Sequence, residues 1–287
     1  MISPDIQKKI SLLQLQVKKR LQGFLSGEYR SVQKGYGLEF DQLRDYQLGD
    51  DIRFMDWKSS ARLNKMVVKE YIHEHTRTIL IAVDISASTL YGSEKELKKE
   101  VMQQVATILS LAGEYAKAHI GLLLFSDQIE VYIPPKSGKF HCNTIIQKIW
   151  NYTPVGSGTN LKIVFDFLVK KSKKDTLLFF ISDFITSLYQ KELSLVSQHY
   201  DMVLLRCLDK YEKKLPQIGY LFVKDPETQE VFMLNTKKNS DANKFLEQRI
   251  KIQNNYFKKY GIDFFDISLN NPYIDSLISF FARRLLH

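Results

Sequence analysis

The stretch "TILIAVDISAST", Thr78 to Thr89, closes an apolar run with Asp84, Ser86 and Ser88, three oxygen-bearing side chains with one residue between each. In an extended turn alternate residues project to one side, so the three can converge on a point. Asp183 ends the apolar run "LLFFIS" in the same manner, and Thr159 lies in the glycine-flanked loop "GSGTN". Brought together, these five side chains form an all-oxygen donor set with two carboxylates. Such a set suits a hard cation, Mg²⁺, Mn²⁺ or Ca²⁺, and not the Zn²⁺ that sulfur and nitrogen clusters favour. Some donors can act directly and others through water, which leaves a coordination position free. Asp or Ser after a strand also serves as a helix cap, and Asp-x-Ser-x-Ser alone does not separate the two roles. Its combination with Thr159 and Asp183 favours the metal reading, since ligands of open α/β sheets bind outside the carboxyl ends of the strands.

The elements that must position these residues are legible in outline. From Thr78 onward apolar strand-like runs alternate with helical patterns: "TILIAVDIS", a helix starting near Ser93 with Leu97, Val101, Val105, Ile108 and Ala112 on one face, then "HIGLLLFS" and "IEVYIPP", the latter ended by Pro134 and Pro135. A helix around Asn143 to Trp150, the loop "TPVGSGTN" and a helix from Leu161 follow, then the strands "DTLLFFISDF" and "YDMVLLRCLD". "IGYLFVKDPETQEVFML" reads as a hairpin turning at Asp225-Pro226, and a helix Asp241 to Lys259, a strand "IDFFDIS" and a helix Tyr273 to Leu286 finish the chain. This alternation predicts a doubly wound, mostly parallel sheet with helices on both faces, spanning 78–287.

Two segments precede it. Residues 1–34 begin with an amphipathic helix, Ser3 to Leu25, whose apolar stripe of Ile6, Ile10, Leu13, Val17 and Leu21 implies docking on the main body or a partner. Residues 35–77 form a charged block with a turn at "LGDD" and a strand-like "KMVVKEYIHEHTRT", read as a small β appendage. Its interleaved Arg and Asp residues are expected to fix how the appendage packs, the alternative being a docking surface beside the metal face.

Composition bounds the function classes. The 287 residues are 44% hydrophobic and 25% charged, ordinary for a globular protein with ample core. Net charge is +9, spread through lysine-rich helix faces such as "VKKR", "ELKKE" and "VKKSKK" that are expected to face solvent. No nucleic-acid motif accompanies the charge, so no specific nucleic-acid partner is expected. No apolar run is long enough to span a bilayer, and the amino terminus lacks the order of a signal peptide, so no transmembrane segment is expected. The two cysteines, Cys142 and Cys207, form no Cys-x-x-Cys and predict reduced thiols in a cytoplasmic protein.

Asp84-x-Ser86-x-Ser88, Thr159 and Asp183 resemble the metal-ion-dependent adhesion site of von Willebrand factor A domains, with no departure at the five positions. The block "GLEFDQLRDYQLGDDIRFMDWKSSARLNKMVVKEY", above all "GDDIRFMDW", "SAR" and "VKEY", resembles the signature of the bacterial family called domain of unknown function fifty-eight. The resemblance runs from about Gly27 into the last helix. It implies a von Willebrand factor A-like fold and a binding module in which Mg²⁺ or Mn²⁺ completes its shell with an acidic residue of a protein client. Genes of that family commonly neighbour those of MoxR-type AAA+ ATPases, which implies adaptor or chaperone-like work beside such an ATPase. The rival chemistry is a metal-dependent phosphohydrolase using Asp84 as nucleophile; that mechanism wants a second acid two residues on, where Ser86 stands. "HEH", His73 to His75, places two imidazoles on one strand face without an evident third ligand.

Overall fold

The computed structural model describes residues 4, 6–8, 10–15, 34–35, 39–72, 77–93, 96–186, 188–225, 229–237, 241–269, 273 and 277. The chain divides into two compact units, Gly23–Thr76 and the remainder, Met1–Gln22 with Arg77–His287.

The smaller unit carries β1 (Lys34–Gly35), β2 (Glu39–Asp45), α1 (Trp57–Leu63) and β3 (Val67–Ile72), the strands pairing antiparallel in the order β1-β3-β2. The expected turn at "LGDD" is present: Asp50 N–H donates to the Gln47 carbonyl, and Gly49 takes the left-handed φ of 106° the reversal needs. The Asp50 carboxylate accepts two bonds from Arg44 at 2.8 Å and one from the Gln47 N–H at 2.7 Å. These bonds hold its carboxyl below the usual range. Further ion pairs in this unit join Arg53 to Asp51, Lys65 to Asp45 and Lys69 to Asp56. The block is not only β, because Asp56 caps α1 by accepting from the Lys58 and Ser59 N–H groups, a local signal stronger than the charge pattern around it. His73 and His75 lie outside the described residues.

In the larger unit the apolar strands read on both faces. β4 (Thr78–Asp84), β5 (His119–Phe125) and β6 (Ile129–Lys136) are joined by α2 (Lys98–Tyr115) and a tight turn; then come α3 (Lys139–Asn151), α4 (Leu161–Lys171), β7 (Thr176–Ser182), α5 (Gln190–His199) and β8 (Asp201–Leu208). α6 (Lys210–Lys213), the hairpin β9 (Tyr220–Lys224) and β10 (Val231–Asn235), α7 (Asp241–Lys259) and β11 (Asp263–Ser268) complete it. Ile81 and Val83 of β4 join one core with Leu122, Ile181 and Leu205, covered by α2 and α3; Leu80 and Ala82 join a second with Leu123, Phe180 and Leu204, covered by α4, α5 and α7. The strict period of two is what a sheet buried on both faces produces. Ile10 and Leu13 of the amino-terminal helix pack into the first core, so its described part docks on this unit; residues 16–33 lie outside the description.

The six strands run β11-β8-β7-β4-β5-β6, parallel except for β6. The chain leaves β4 to one side for β5 and β6, then crosses to β7 on the other. The order therefore reverses at β4, and the crevice lies at the carboxyl ends of β4 and β7. This doubly wound α/β sheet is consistent with the von Willebrand factor A-like fold expected from the sequence.

Three boundaries differ from expectation. α2 starts at Lys98 and not near Ser93, because the Ser93 hydroxyl and N–H are both committed to Asp209. α3 starts at Lys139, one turn earlier than read. β6 continues through Pro134 and Pro135 to Lys136: it is an edge strand, and its register slips between the pairs Ile120↔Lys136 and Leu122↔Ile133, where the prolines need no ladder bond. The expected hairpin pairs β9 with β10, and the Asp225 N–H donates to the Glu230 carbonyl; Pro226 lies outside the described residues.

Candidate functional site

Asp84 is the last residue of β4 and is buried, as are Ser86 and Ser88 in the turn that follows. The backbone folds back on the carboxylate: Ser86 donates to Asp84 Oδ1 from its N–H at 3.0 Å and from its hydroxyl at 2.6 Å. Ser86 Oγ lies 3.0 Å from Ser88 Oγ, so the alternate spacing brings the three oxygens together. Asp84 Oδ2 accepts from the Ser182 hydroxyl at 2.7 Å, a bond across 98 residues of chain that ties β4 to β7. Asp84 thus meets only neutral donors in these bonds. Burial, and then the neighbouring Asp183, push its carboxyl up to about 7 despite them.

Asp183 follows β7 on the adjacent strand end and is 2% exposed. Its two oxygens are engaged: Oδ1 accepts from the Ile185 N–H at 3.2 Å and Oδ2 from the Lys98 ammonium at 2.7 Å. The turn beyond is strained, since the fully buried Phe184 has φ of 52°. The Ser182 hydroxyl caps its N–H at 3.1 Å and Gln253 of α7 donates to its carbonyl at 2.7 Å. A large ring held in the left-handed region is costly, and the core around Phe180 and Phe257 fixes it there.

Thr159 is half-buried in the loop before α4. That loop is tied to the site, the Ala87 N–H donating to the Ser157 carbonyl at 2.9 Å and the Asn160 N–H to the Ser126 carbonyl at 3.2 Å. Asn160 then caps α4. The geometry therefore joins Asp84, Ser86 and Ser88 directly, sets Asp183 on the next strand end, and docks the Thr159 loop against their turn.

Four partners escaped the sequence reading. Lys98, within "ELKKE", was expected on a solvated face, yet it is fully buried and bridges Asp183 to Glu212 Oε1 at 2.6 Å. Glu212 belongs to a capping box with Asp209 at the start of α6, a pattern visible in "DKYE". Ser182 carries no signal beyond ending a strand. Glu130 anchors the loop: it accepts from Gly156 N–H at 2.8 Å, Val155 N–H at 3.1 Å, the Ser126 hydroxyl at 2.7 Å and Tyr152 OH at 3.0 Å. Burial opposes its charge, but these donors outweigh it and bring its pKa down to about 2. Ser126 also sits in a turn, its N–H bonded to the Gln128 carbonyl.

The electrostatic balance points one way. Asp84, Asp183, Asp209 and Glu212 are buried or nearly so, against the cations Lys98 and the largely buried Arg249. Burial and then Asp183 raise Asp84; burial raises Glu212 although Lys98 pulls it down; and the carboxylates beside Lys98 raise it although burial works against them. Counted as ionised, these four carboxyl groups outnumber the two cations among them. The donors gathered there are oxygen only, and Asp84, Ser86 and Ser88 are the residues that could hold a small hard cation together with water. Among the described residues no group of three or more His, Cys, Asp and Glu is placed to hold a metal ion.

A family model described as "Protein of unknown function DUF58" matches residues 42–254, a span that contains all five candidate ligands. Uncharacterized proteins of Mycobacterium tuberculosis and Mycobacterium bovis are each 25% identical over 228 residues, covering 78% of this chain and 72% of theirs. The conserved hypothetical protein BatB of Bacteroides thetaiotaomicron superposes with a TM-score of 0.49 at 12% identity, covering 72% of this chain and 98% of that one. An aerotolerance-related membrane protein of Bacteroides fragilis gives 0.49 at 13% identity, covering 72% and 99%.

Proposed function

The chain belongs to the DUF58 family of proteins of unknown function, and from that premise we propose that it is a non-enzymatic, metal-dependent protein-interaction module. Mg²⁺ or Mn²⁺ held by Asp84, Ser86, Ser88, Thr159 and Asp183, some directly and others through water, supplies a positive centre to which a client's Asp or Glu adds the last ligand. The observation that carries this reading is the Asp84 carboxylate, buried at the switch point of the sheet, bonded to hydroxyls and an N–H, and facing a second carboxylate on the next strand. The chain's own residues supply the rest. Ser182 and Ser86 orient Asp84, Glu130 holds the Thr159 loop, and Lys98 balances Asp183. By family resemblance the protein works as an adaptor of a MoxR-type AAA+ ATPase, in the cytoplasm, where its buried free thiols Cys142 and Cys207 stay reduced. Among the described residues no helix is long and apolar enough to cross a membrane.

The test is a Mn²⁺ titration followed by water-proton relaxation, on wild type and Asp84→Ala. Enhancement that is lost in the variant and competed by Mg²⁺ supports the site; equal behaviour of the two proteins refutes it. Binding of an Asp- or Glu-containing client should then vanish with EDTA. Steady hydrolysis of a generic phosphate ester, abolished in Asp84→Asn, would instead favour a phosphohydrolase.

A further inference from the structure

We propose that Lys98 is a positioning residue that keeps Asp183 from ligating the cation directly and so sets the affinity of the site; this rests on the metal reading above. The two strand-end carboxylates are not equivalent. Asp84 is met by the Ser86 N–H and the hydroxyls of Ser86 and Ser182. Asp183 has the Lys98 ammonium on Oδ2 at 2.7 Å and the Ile185 N–H on Oδ1 at 3.2 Å. A cation entering beside Asp84 is therefore neutralised by one full carboxylate, and Lys98 repels it from behind the other. It keeps more of its charge for an incoming acidic ligand than two free carboxylates would allow.

The lysine is built into this position from three segments. It is the first residue of α2, with its N–H on the Tyr91 carbonyl at 3.0 Å. Its second contact, Glu212, is fixed by the capping box of α6, Glu212 Oε2 accepting from the Asp209 N–H at 2.8 Å. Asp209 in turn holds the Ser93 hydroxyl and N–H ahead of α2. The charged groups facing Lys98 are thus Asp183 and Glu212, with Arg249 adding positive charge beyond Glu212, whose carbonyl it contacts at 3.5 Å. A buried ammonium held this tightly is a fixed charge rather than a mobile surface one.

The experiment measures Mn²⁺ affinity by the electron paramagnetic resonance of the free ion, and water-proton relaxation per bound Mn²⁺, on the full chain. Lys98→Met should bind Mn²⁺ about tenfold tighter or more, since a unit charge a few ångströms away is removed from a poorly screened site. Relaxation per bound ion should fall, because Asp183 now replaces a water. Glu212→Gln should bind more weakly than wild type, because the lysine charge is then less balanced. The double variant Lys98→Met/Glu212→Gln leaves no unpaired Glu212 and keeps the test available if Lys98→Met does not fold; it should bind more tightly than Glu212→Gln alone. Unchanged or weaker Mn²⁺ binding in folded Lys98→Met, or equality of the double and single Gln variants, overturns the positioning role. Absence of Mn²⁺ binding in wild type removes the metal reading and this role with it, an outcome distinct from wild-type binding that is indifferent to Lys98.

Discussion

Asp84→Asn in the metal-free protein isolates the charge at the centre of the site. In the native state the Asp84 carboxyl titrates near 7 against an ordinary 3.8. The folded protein therefore holds a proton between pH 3.8 and 7 that the unfolded chain has shed, so stability falls as pH rises through that window and is level above it. At about 1.4 kcal/mol per unit, the whole window is worth about 4 kcal/mol, of which about 3 kcal/mol falls between pH 5 and pH 8. The amide in the Asp84→Asn variant cannot ionise, so the variant lacks this loss. Urea unfolding in EDTA at both pH values should show the stability difference between wild type and Asp84→Asn moving by about 3 kcal/mol in favour of the variant on going from pH 5 to pH 8. The offset common to both pH values, from the amide's altered bonds to Ser86 and Ser182, cancels in that comparison. Saturating Mg²⁺ at pH 8 should then stabilise wild type and leave the variant unmoved. A difference that stays the same at the two pH values would show Asp84 to be ionised throughout and comfortable without a cation. Equal stabilisation of both proteins by Mg²⁺ would place the cation elsewhere.

Other perturbations read the supporting structure. Glu130→Ala should release the loop before α4, speeding hydrogen exchange at the Val155 and Gly156 amides while the β4 and β7 amides stay protected; slow exchange at both loop amides would count against Glu130 as the anchor. Gly156→Ala should distort the same loop, because an added Cβ runs into Asp127 Oδ1 and Ser126 Oγ, and Mn²⁺ affinity should drop with it; a variant with unaltered affinity would detach the loop from the site. Arg206 is fully buried between Asp266, Gln253 and Asn254, so Arg206→Met should cost about 3 kcal/mol in urea unfolding, with Arg206→Met/Asp266→Leu regaining part of it. A loss under about 1 kcal/mol would mean that water already enters beside the guanidinium.

The sequence by itself determined the elements whose signal is local. The continuous apolar runs of "TILIAVD" and "TLLFFIS" specify strands buried on both faces, and the alternation with helices specifies a doubly wound sheet. Asp84, Ser86 and Ser88 converge for the same reason: spacing within a single turn fixes their directions. Tertiary structure decided what lies on the far side of that turn. Lys98 reads as one more solvated lysine in "ELKKE", and only its meeting with residues 85 and 114 positions away shows that it is a buried counter-charge. Ser182 reaches Asp84 across 98 residues, and Glu130 reaches Gly156 across 26. Periodicity reports which face a residue shares with its neighbours in the chain. It holds no term for which distant strand end or helix start comes to rest opposite, and in a buried polar site that opposing partner decides the charge balance.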